Sequence, residues 1–394
     1  MYIFNPENDL ALANFNAHFT APASARKMRQ DLALLPVWYA PDSSSIIAEG
    51  ELNNRFLEEL QSKLSINNSL ISFSQLANHA DTEVKPWGWN PALRKQLIDA
   101  GLNEDVLPSM TNLEILRSYS GRHNAVKLLE ELKIWHPSFC GESYFYTDID
   151  QLLAYLNSTK NDQVLKMPYS GSGKGILWLK DGITDKQTDW CKRVIRIQGG
   201  VVAEPALNKV QDFAMEFEMT DSGIEFVGYS LFQSAPAGAY IGNVLLSDAA
   251  IESKLSMYIE RNLLEDLKAA LKTKLSEYFP HYRGYLGVDM MVCKTSDSTY
   301  QLQPCIEVNM RMNMGIVAHR IFERFIHPNS IGMFSINYYK QDGEAYNQHI
   351  TMQLNNPLII ENEKIKSGYL ALTPVDGNTS YIATVSIKQN HEES

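Results

Sequence analysis

The stretch CIEVNMRMNMG, residues 305–315, carries the most chemistry per residue in this chain. Read as a strand over 305–311, it sends alternate side chains to opposite faces. Ile306, Val308 and Met310 then form an apolar face that can pack on a core. Glu307, Asn309 and Arg311 share the other face. A carboxylate and an amide oxygen side by side suit Mg²⁺, a hard cation that keeps waters and phosphate oxygens as its other ligands. A guanidinium beside them suits a phosphoryl oxygen. Eighteen residues before Glu307, GVDMMV sets Asp289 between Val288 and Met290. A carboxylate there is costly to bury unless it is paired or metal-bound. The plainer reading of 305–311 is an edge strand with a solvated polar face and a Glu–Arg pair.

Upstream, VLKMPYSGSGKGILWL (164–179) reads as a strand, a glycine-rich run from Gly171 through Ser172, Gly173 and Lys174 to Gly175, and a second strand. Glycines let backbone N–H groups approach a polyanion, and Lys166 and Lys174 add charge. The run is not a Walker A loop, because Pro168 stands where that motif needs its first glycine. No helix obviously follows, which weakens a dinucleotide-binding reading. Taken alone, the run reads equally well as a surface hairpin turn.

The first 118 residues alternate strand-like and helix-like pieces. Strands are expected at Tyr2 to Phe4 and Leu35 to Tyr39, and helices at Ala23 to Leu34 and Asn53 to Leu64. Asn90-Pro91 marks a helix start, and Thr111 with Glu114 reads as a capping box. This alternation points to an α/β domain with a mostly parallel sheet. Beyond residue 120 come a short helix over 124–133 and strands at 164–168, 176–179, 201–204, 213–219 and 225–232. Leu255, Ile259, Leu263, Leu267, Leu271 and Leu275, each four residues from the next, predict one long helix over 252–278. Strands at 286–292 and 301–310 follow. The tail predicts strands at 369–372 and 381–387, with a turn at Asp376-Gly377.

Composition bounds these readings. Apolar residues make up 44% and charged residues 21% of the 394, enough for a sizeable core. The net charge of −11 runs against a non-specific nucleic-acid binder, and no Lys/Arg block suits an anionic membrane surface. The uncharged stretch 226–247 is broken by Gln233, Pro236, Gly238 and Asn243 and does not read as a membrane span. The four cysteines, at 140, 191, 293 and 305, show no Cys-x-x-Cys spacing. MYIFNPENDLALA lacks the features of a signal peptide, so a cytoplasmic location is expected.

In this order, the motifs resemble the ATP-grasp superfamily: a Lys-bearing strand (Lys166), a glycine-rich loop (170–175), an acidic hinge (VVAEPAL, 201–207), a late-strand acid (Asp289), then Glu-x-Asn (Glu307, Asn309). The resemblance covers about residues 120–325. It implies an ATP-grasp fold of two α+β subdomains over 119–329, an α/β domain over 1–118 before it, and a β-containing segment over 330–394 packing on the core.

The resemblance also implies site roles. Lys166 contacts the α/β-phosphates of ATP, and the 171–175 amides cover the β/γ-phosphates. Glu204 with the backbone of Ala206 and Leu207 holds adenine, and Asp212 meets the ribose hydroxyls, although it also reads as a plain loop acid. Asp289, Glu307 and Asn309 bind one or two Mg²⁺ ions. Arg311 faces the transferred phosphate, with Lys174 beside it. Arg283, six residues before Asp289, either holds an anionic substrate or is a solvated surface arginine. One position departs from the family: a usual lysine is replaced in YSGRHNAVKLLEEL by Arg122 or His123, with Lys127 a turn later.

By the same resemblance, the reaction joins a small-molecule carboxylate to an amine or thiol through an acyl phosphate. Phosphotransfer on the same core and non-catalytic nucleotide binding are the other readings. A homodimer is one assembly allowed. The polar opening segment with Asn5, Glu7, Asn8, Asp9 and His18 can grip an amino group or simply start a helix. PWGWN (86–90) can wall the acceptor site or pack in the core.

Overall fold

The computed structural model describes residues 1–171, 175–235 and 238–390. Its contacts group the chain into two units: 1–113 with 241–250 and 311–394, and 114–240 with 251–310.

In the first unit, a parallel sheet runs in the order Ser69–Ile71, Ser45–Ile47, Tyr2–Ile3, Lys85–Pro86. Its strands are short, and Ile3, Ile47, Ile71, Leu76, Val84, Leu93 and Leu97 pack into one core. Asn90 caps the Pro91–Asp99 helix as expected, its Oδ1 accepting from the Leu93 N–H at 2.9 Å. A second, antiparallel sheet joins Tyr240–Leu245, Ser330–Tyr338, Tyr381–Gln389, Lys364–Ala371 and Ile359–Glu361 in that order. Long-range bonds tie the tail to the front of the chain. Trp38 Nε1 donates to the Leu372 carbonyl at 2.6 Å, and Asp31 Oδ2 accepts from the Ser380 and Tyr381 N–H groups at 2.9 and 3.0 Å. By contact, residues 311–394 group with 1–113 and 241–250.

In the second unit, one sheet runs Tyr144–Tyr146, Val201–Pro205, Gln163–Lys166, Ile176–Leu179. The Ile149–Ser158 and Asp185–Gln198 helices share its core, through Leu152, Leu156, Cys191 and Val194. The other sheet runs Tyr300–Asn309, Gly284–Lys294, Lys209–Thr220, Gly223–Ser234, all antiparallel. The Arg261–Tyr278 helix packs against it with Leu264, Leu267, Leu271 and Leu275 fully buried. Each such leucine is worth roughly 1.5–3 kcal/mol of burial.

Three local expectations are corrected. Leu35–Trp38 is a buried 3₁₀ turn and not a strand, with Val37 N–H bonding the Leu34 carbonyl at 3.0 Å. Pro36 has no N–H to give a sheet ladder. The Met110–Tyr119 helix is capped by Ser109, whose Oγ accepts from the Asn112 N–H at 3.1 Å, and not by Thr111. The single helix over 252–278 is two, Asp248–Leu255 and Arg261–Tyr278. Across the break, Arg261 reaches Glu252 at 2.7 Å. On one continuous helix nine residues would rise about 13.5 Å, far beyond an i,i+4 pair. The leucine spacing survives because the intervening turn keeps Leu255 and Ile259 buried.

Candidate active site

The second unit gathers most of the sequence-derived site residues. Strand pairing sets Asp289 directly opposite Glu307, and Gly287 opposite Asn309. Opposed residues on antiparallel strands share a face, so Asp289, Glu307 and Asn309 converge. Asn309 Nδ2 donates to Asp289 Oδ2 at 3.1 Å. The register slips between Asp289/Glu307 and Met291/Gln303, at Pro304. Proline cannot donate to the ladder and is found in sheets at bulges. Cys305 follows it directly, at the start of the Glu-x-Asn run.

On the neighbouring sheet, Lys166 and Glu204 lie on adjacent antiparallel strands, with Val164 opposite Glu204. Lys166 Nζ donates to Glu204 Oε2 at 2.5 Å, both side chains mostly buried, and Ser143 Oγ donates to Glu204 Oε1 at 2.9 Å. Burial of a charge pair is tolerable only when the remaining lone pairs are also satisfied, and Ser143 supplies such a bond. Sequence reading missed Ser143; nothing in the run CGES around it marks a partner for residue 204.

Cys305 is buried next to the bulge, two residues before Glu307. Burial holds its thiol far above the ordinary cysteine range. The carboxylates of Glu204, Asp289 and Glu307 push it the same way, and Lys166 opposes them.

Arg122 links the 167–170 segment to the Glu307 strand. It is 6% exposed. Its Nη1 donates to the Met167 carbonyl and to Ser170 Oγ, each at 2.6 Å. Its Nη2 donates to the Ser170 carbonyl at 3.1 Å and to Glu307 Oε1 at 2.7 Å. A lysine has a single nitrogen and no planar fork, so it could not reproduce this set. Arg122 Nε is buried without a hydrogen-bond partner. Of the two residues weighed for the missing lysine, Arg122 is the one at the site. His123 packs its ring 5.6 Å from Phe145, and burial, then Lys127, lowers its pKa.

The glycine-rich run is described at its ends. Gly175 has φ +78°, and a Cβ there would lie 2.9 Å from Ser170 Cβ and Oγ. Its carbonyl accepts from the Met167 N–H at 2.9 Å, closing the loop. Gly171 is half-buried. Ser172, Gly173 and Lys174 lie outside the described residues.

At the hinge, the Ala206 N–H is engaged by the Asp162 carbonyl at 2.8 Å, and the Leu207 carbonyl by the Lys209 N–H at 3.0 Å. Asp212 is buried, accepts from Lys209 Nζ at 2.7 Å and also from Ser234 Oγ. On the other, helix-packed face of the sheet that carries Glu204, Tyr144, Tyr146 and Tyr155 form a ring cluster with centroids 5.1–6.4 Å apart. Burial leads, and Glu204 adds, in holding the Tyr155 hydroxyl above its ordinary range.

Two candidates are bonded to other acids. Arg283 is half-exposed at a hairpin end, bonded to Asp221 at 2.8 Å. Gly284 begins the strand that carries Asp289, so roughly 17 Å of extended chain separates them. Arg311 lies past the end of its strand and belongs to the first unit. There it grips Asp9 with two bonds, Nε to Oδ1 at 2.7 Å and Nη2 to Oδ2 at 2.8 Å. Around Asp9 the opening segment is largely buried: Asn5 bonds the Gly88 carbonyl at 2.8 Å, Asn90 bonds Asn8 at 2.9 Å, and Arg29 bonds Glu7 at 2.9 Å.

The donor set fits a hard divalent cation: two carboxylates and an amide on adjacent strands, with Arg122 balancing one charge. Among the described residues no group of three or more His, Cys, Asp and Glu side chains is gathered, so any softer or all-protein metal cage is not built here.

No model of a known protein family matches the chain, and no curated protein sequence does. Solved structures do. A biotin carboxylase complex with β,γ-ATP from Campylobacter jejuni superposes with a TM-score of 0.54 at 10% identity, covering 98% of this chain and 86% of that one. An N5-carboxyaminoimidazole synthetase from Staphylococcus aureus, complexed with ADP, gives 0.49 at 11% identity, over 90% and 95%. An L-amino acid ligase from Bacillus licheniformis gives 0.44 at 12% identity, over 90% and 95%. At such identities the likeness speaks to fold, and the first carries it. The fold of this chain is the ATP-grasp fold, with an α/β domain preceding the core.

Proposed function

We propose that this protein is an ATP- and Mg²⁺-dependent ligase that joins a carboxylate to an amine or thiol through an acyl phosphate. The observation that carries the reading is the convergence of Asp289, Glu307 and Asn309 on one strand face, with Arg122 bridging Glu307 to the Ser170 turn. The structures it resembles in fold are of a β,γ-ATP complex and an ADP complex.

In this reading Lys166, held by Glu204, meets the α/β-phosphates, and the Ser170–Gly175 loop covers the β/γ end. The adenine ring lies at the hinge by Glu204, Ala206 and Leu207, with Asp212 toward the ribose. Asp289, Glu307 and Asn309 would hold Mg²⁺, which when bound offsets repulsion between carboxylates and phosphate oxygens. Arg122 fixes Glu307 and the Ser170 turn in one geometry, and its unspent Nε–H points to an anion as its remaining partner. Preorganised donors of this kind are how proteins accelerate phosphoryl transfer. The substrate carboxylate oxygen bonds to the γ-phosphorus as ADP leaves. The amine or thiol then attacks the acyl carbon, phosphate leaves, and the nucleophile gives up its proton. Arg311, bonded to Asp9 within the first unit, and Arg283, bonded to Asp221, are given no role in this step.

The Arg122–Glu307 pair also favours a second reading. It occupies one carboxylate of the metal set, as a chain that binds nucleotide without turnover would tolerate. Melting with and without Mg-ATP separates the cases. At about 100 times the dissociation constant, a ligand adds about 2.7 kcal/mol of apparent stability. The shift should vanish in Glu307→Ala and Asn309→Ala. An equal shift in those variants counts against the site. ADP release that requires both a carboxylate and an amine or thiol supports the ligase; release with one acceptor and a stable phosphorylated product means a phosphotransferase; binding with no turnover means the non-catalytic reading.

A further inference from the structure

Residues 167–170 lead from the Gln163–Lys166 strand into the glycine-rich run. Pro168 interrupts the ladder there, because proline has no N–H to give. Lys166 pairs with Val202 on the neighbouring antiparallel strand. Continued, that register would bring 170 opposite 198. Position 198 is instead the last residue of the Asp185–Gln198 helix. Gly199 ends that helix at φ +86°, its N–H bonding the Ile195 carbonyl at 2.9 Å. Where a strand partner would lie, the Tyr169 N–H meets a side chain.

That side chain is Gln198. Its Oε1 accepts from the Tyr169 N–H at 3.0 Å, and its Nε2 lies 3.8 Å from Met167 Sδ. Arg122 holds the same segment in a different way. A guanidinium has five donors and no acceptor, and Arg122 directs its donors to the Met167 carbonyl, Ser170 Oγ and the Ser170 carbonyl. It has nothing with which to hold an N–H. The Arg122 backbone N–H donates to the Pro168 carbonyl at 3.1 Å. The Pro168–Tyr169 peptide is thus pinned at both ends, its C=O by the Arg122 backbone and its N–H by Gln198. The peptide unit is planar, so turning it breaks both bonds together.

Met167 carries the hold onward. Its N–H donates to the Gly175 carbonyl at 2.9 Å, and a Cβ on Gly175 would lie 3.0 Å from Met167 Sδ. Gln198 therefore touches the residues on both sides of Pro168, and one of them is bonded to the far end of the glycine-rich run.

We propose that Gln198 is a positioning residue of the phosphate loop: it fixes the plane of the Pro168–Tyr169 peptide, and with it the path on which the chain enters and leaves the glycine-rich run. The inference rests on the nucleotide reading of that run. It adds that affinity for the β- and γ-phosphates depends on an amide side chain outside the run, at the end of a helix.

Calorimetric titration of the full chain with Mg-ATP and, separately, with AMP, which ends before the β-phosphate, tests it. Gln198→Met keeps the length and bulk of the side chain and removes its acceptor. It should weaken Mg-ATP binding at least five-fold and leave AMP binding within two-fold of wild type. A merely structural role for Gln198 would weaken both alike. Gln198→Glu keeps an acceptor for the Tyr169 N–H. At about 0.3 M salt, where distant charges are screened, it should hold the ratio of Mg-ATP to AMP affinity within two-fold of wild type. Unchanged Mg-ATP binding in Gln198→Met, an equal loss of both ligands, or a ratio in Gln198→Glu as low as in Gln198→Met would each overturn the inference and leave the nucleotide reading standing. Absence of Mg-ATP binding by wild type would overturn that reading, and the inference with it.

Discussion

Replacing Arg122 by alanine tests whether this residue is the keystone of the candidate site. The side chain is 6% exposed and donates four hydrogen bonds, to the Met167 carbonyl, Ser170 Oγ, the Ser170 carbonyl and Glu307 Oε1. Removing one partner of a buried ion pair typically costs 3–5 kcal/mol, because the other charge is left uncompensated. Glu307 keeps 23% of its side-chain exposure, so water can recover part of that loss, and about 3 kcal/mol is the working figure. For a unit of roughly 190 residues, each kcal/mol shifts the melting temperature by about 2–4 °C. The expected drop is therefore about 6–12 °C in the absence of nucleotide. Calorimetric melting of wild type, Arg122→Ala, Glu307→Gln and the double variant provides the magnitude and the coupling. Arg122→Lys should recover less than half of the loss, since one ammonium cannot bridge the Ser170 turn and Glu307 together. A drop below 2 °C, or a coupling energy below about 0.5 kcal/mol between the two positions, would refute the argument that this pair is desolvated and geometrically specific.

Three further outcomes are expected. Gly175→Ala forces a Cβ into φ +78° and to 2.9 Å from Ser170; it should cost about 1–3 kcal/mol, measurable by urea unfolding, and lower Mg-ATP affinity in the melting assay. Asp9→Asn keeps the shape but removes the charge that Arg311 grips at 2.7 and 2.8 Å; a loss of about 1.5–3 kcal/mol follows from charge-assisted bonds, read as a lower midpoint in urea unfolding. The pKa values of His123 and His349 are both lowered, in each case by burial first, then at His123 by Lys127, with Glu59 opposing at His349. Below the unfolded imidazole value of about 6.5 the unfolded chain binds more protons than the folded one. Stability should therefore fall as pH drops from about 6.5, and His349→Gln should flatten that slope in melting curves taken between pH 5 and 7.5.

How far the sequence reveals this protein depends on whether a feature is local. Glu307, Asn309 and Asp289 are legible because strand periodicity alone puts the first two on one face, and their spacing suits two adjacent antiparallel strands. The Asn90 cap is legible because its signal spans four residues. Leu35–Trp38 misleads because an apolar run of that length has no period to distinguish strand from turn; Pro36 is the discriminating residue. The break between Leu255 and Arg261 is hidden because it contains neither proline nor glycine, and the leucine spacing continues across it. Arg311 is the most instructive. Alternation extended past Asn309 puts it with Glu307, yet the strand ends at Asn309 and the guanidinium turns to Asp9, 302 residues away in sequence. No pattern within a window of residues can register a partner at that distance.

That pairing bears on why the opening segment is so polar. NPEND would be expensive to bury, yet Asn5, Glu7 and Asn8 are all under 9% exposed. Each finds a partner made by distant chain: Gly88 for Asn5, Arg29 for Glu7, Asn90 for Asn8. A Cβ at Gly88 would lie 2.2 Å from the Asn8 amide, so the Trp87-Gly88-Trp89 turn is shaped around these side chains. The Trp87 carbonyl in turn accepts from the Met312 N–H at 3.0 Å, next to Arg311. These bonds favour one geometry, because leaving a buried polar group unpaired costs about 1–3 kcal/mol; only Oε2 of Glu7, in this segment, is buried without a partner among the described residues. Asp9 is thereby presented to Arg311 by a rigid frame. The polar opening reads best as the scaffold that orients this arginine, and Gly88→Ala, which displaces Asn8 without touching either charge, should misorient Arg311 nearly as much as Asp9→Asn does.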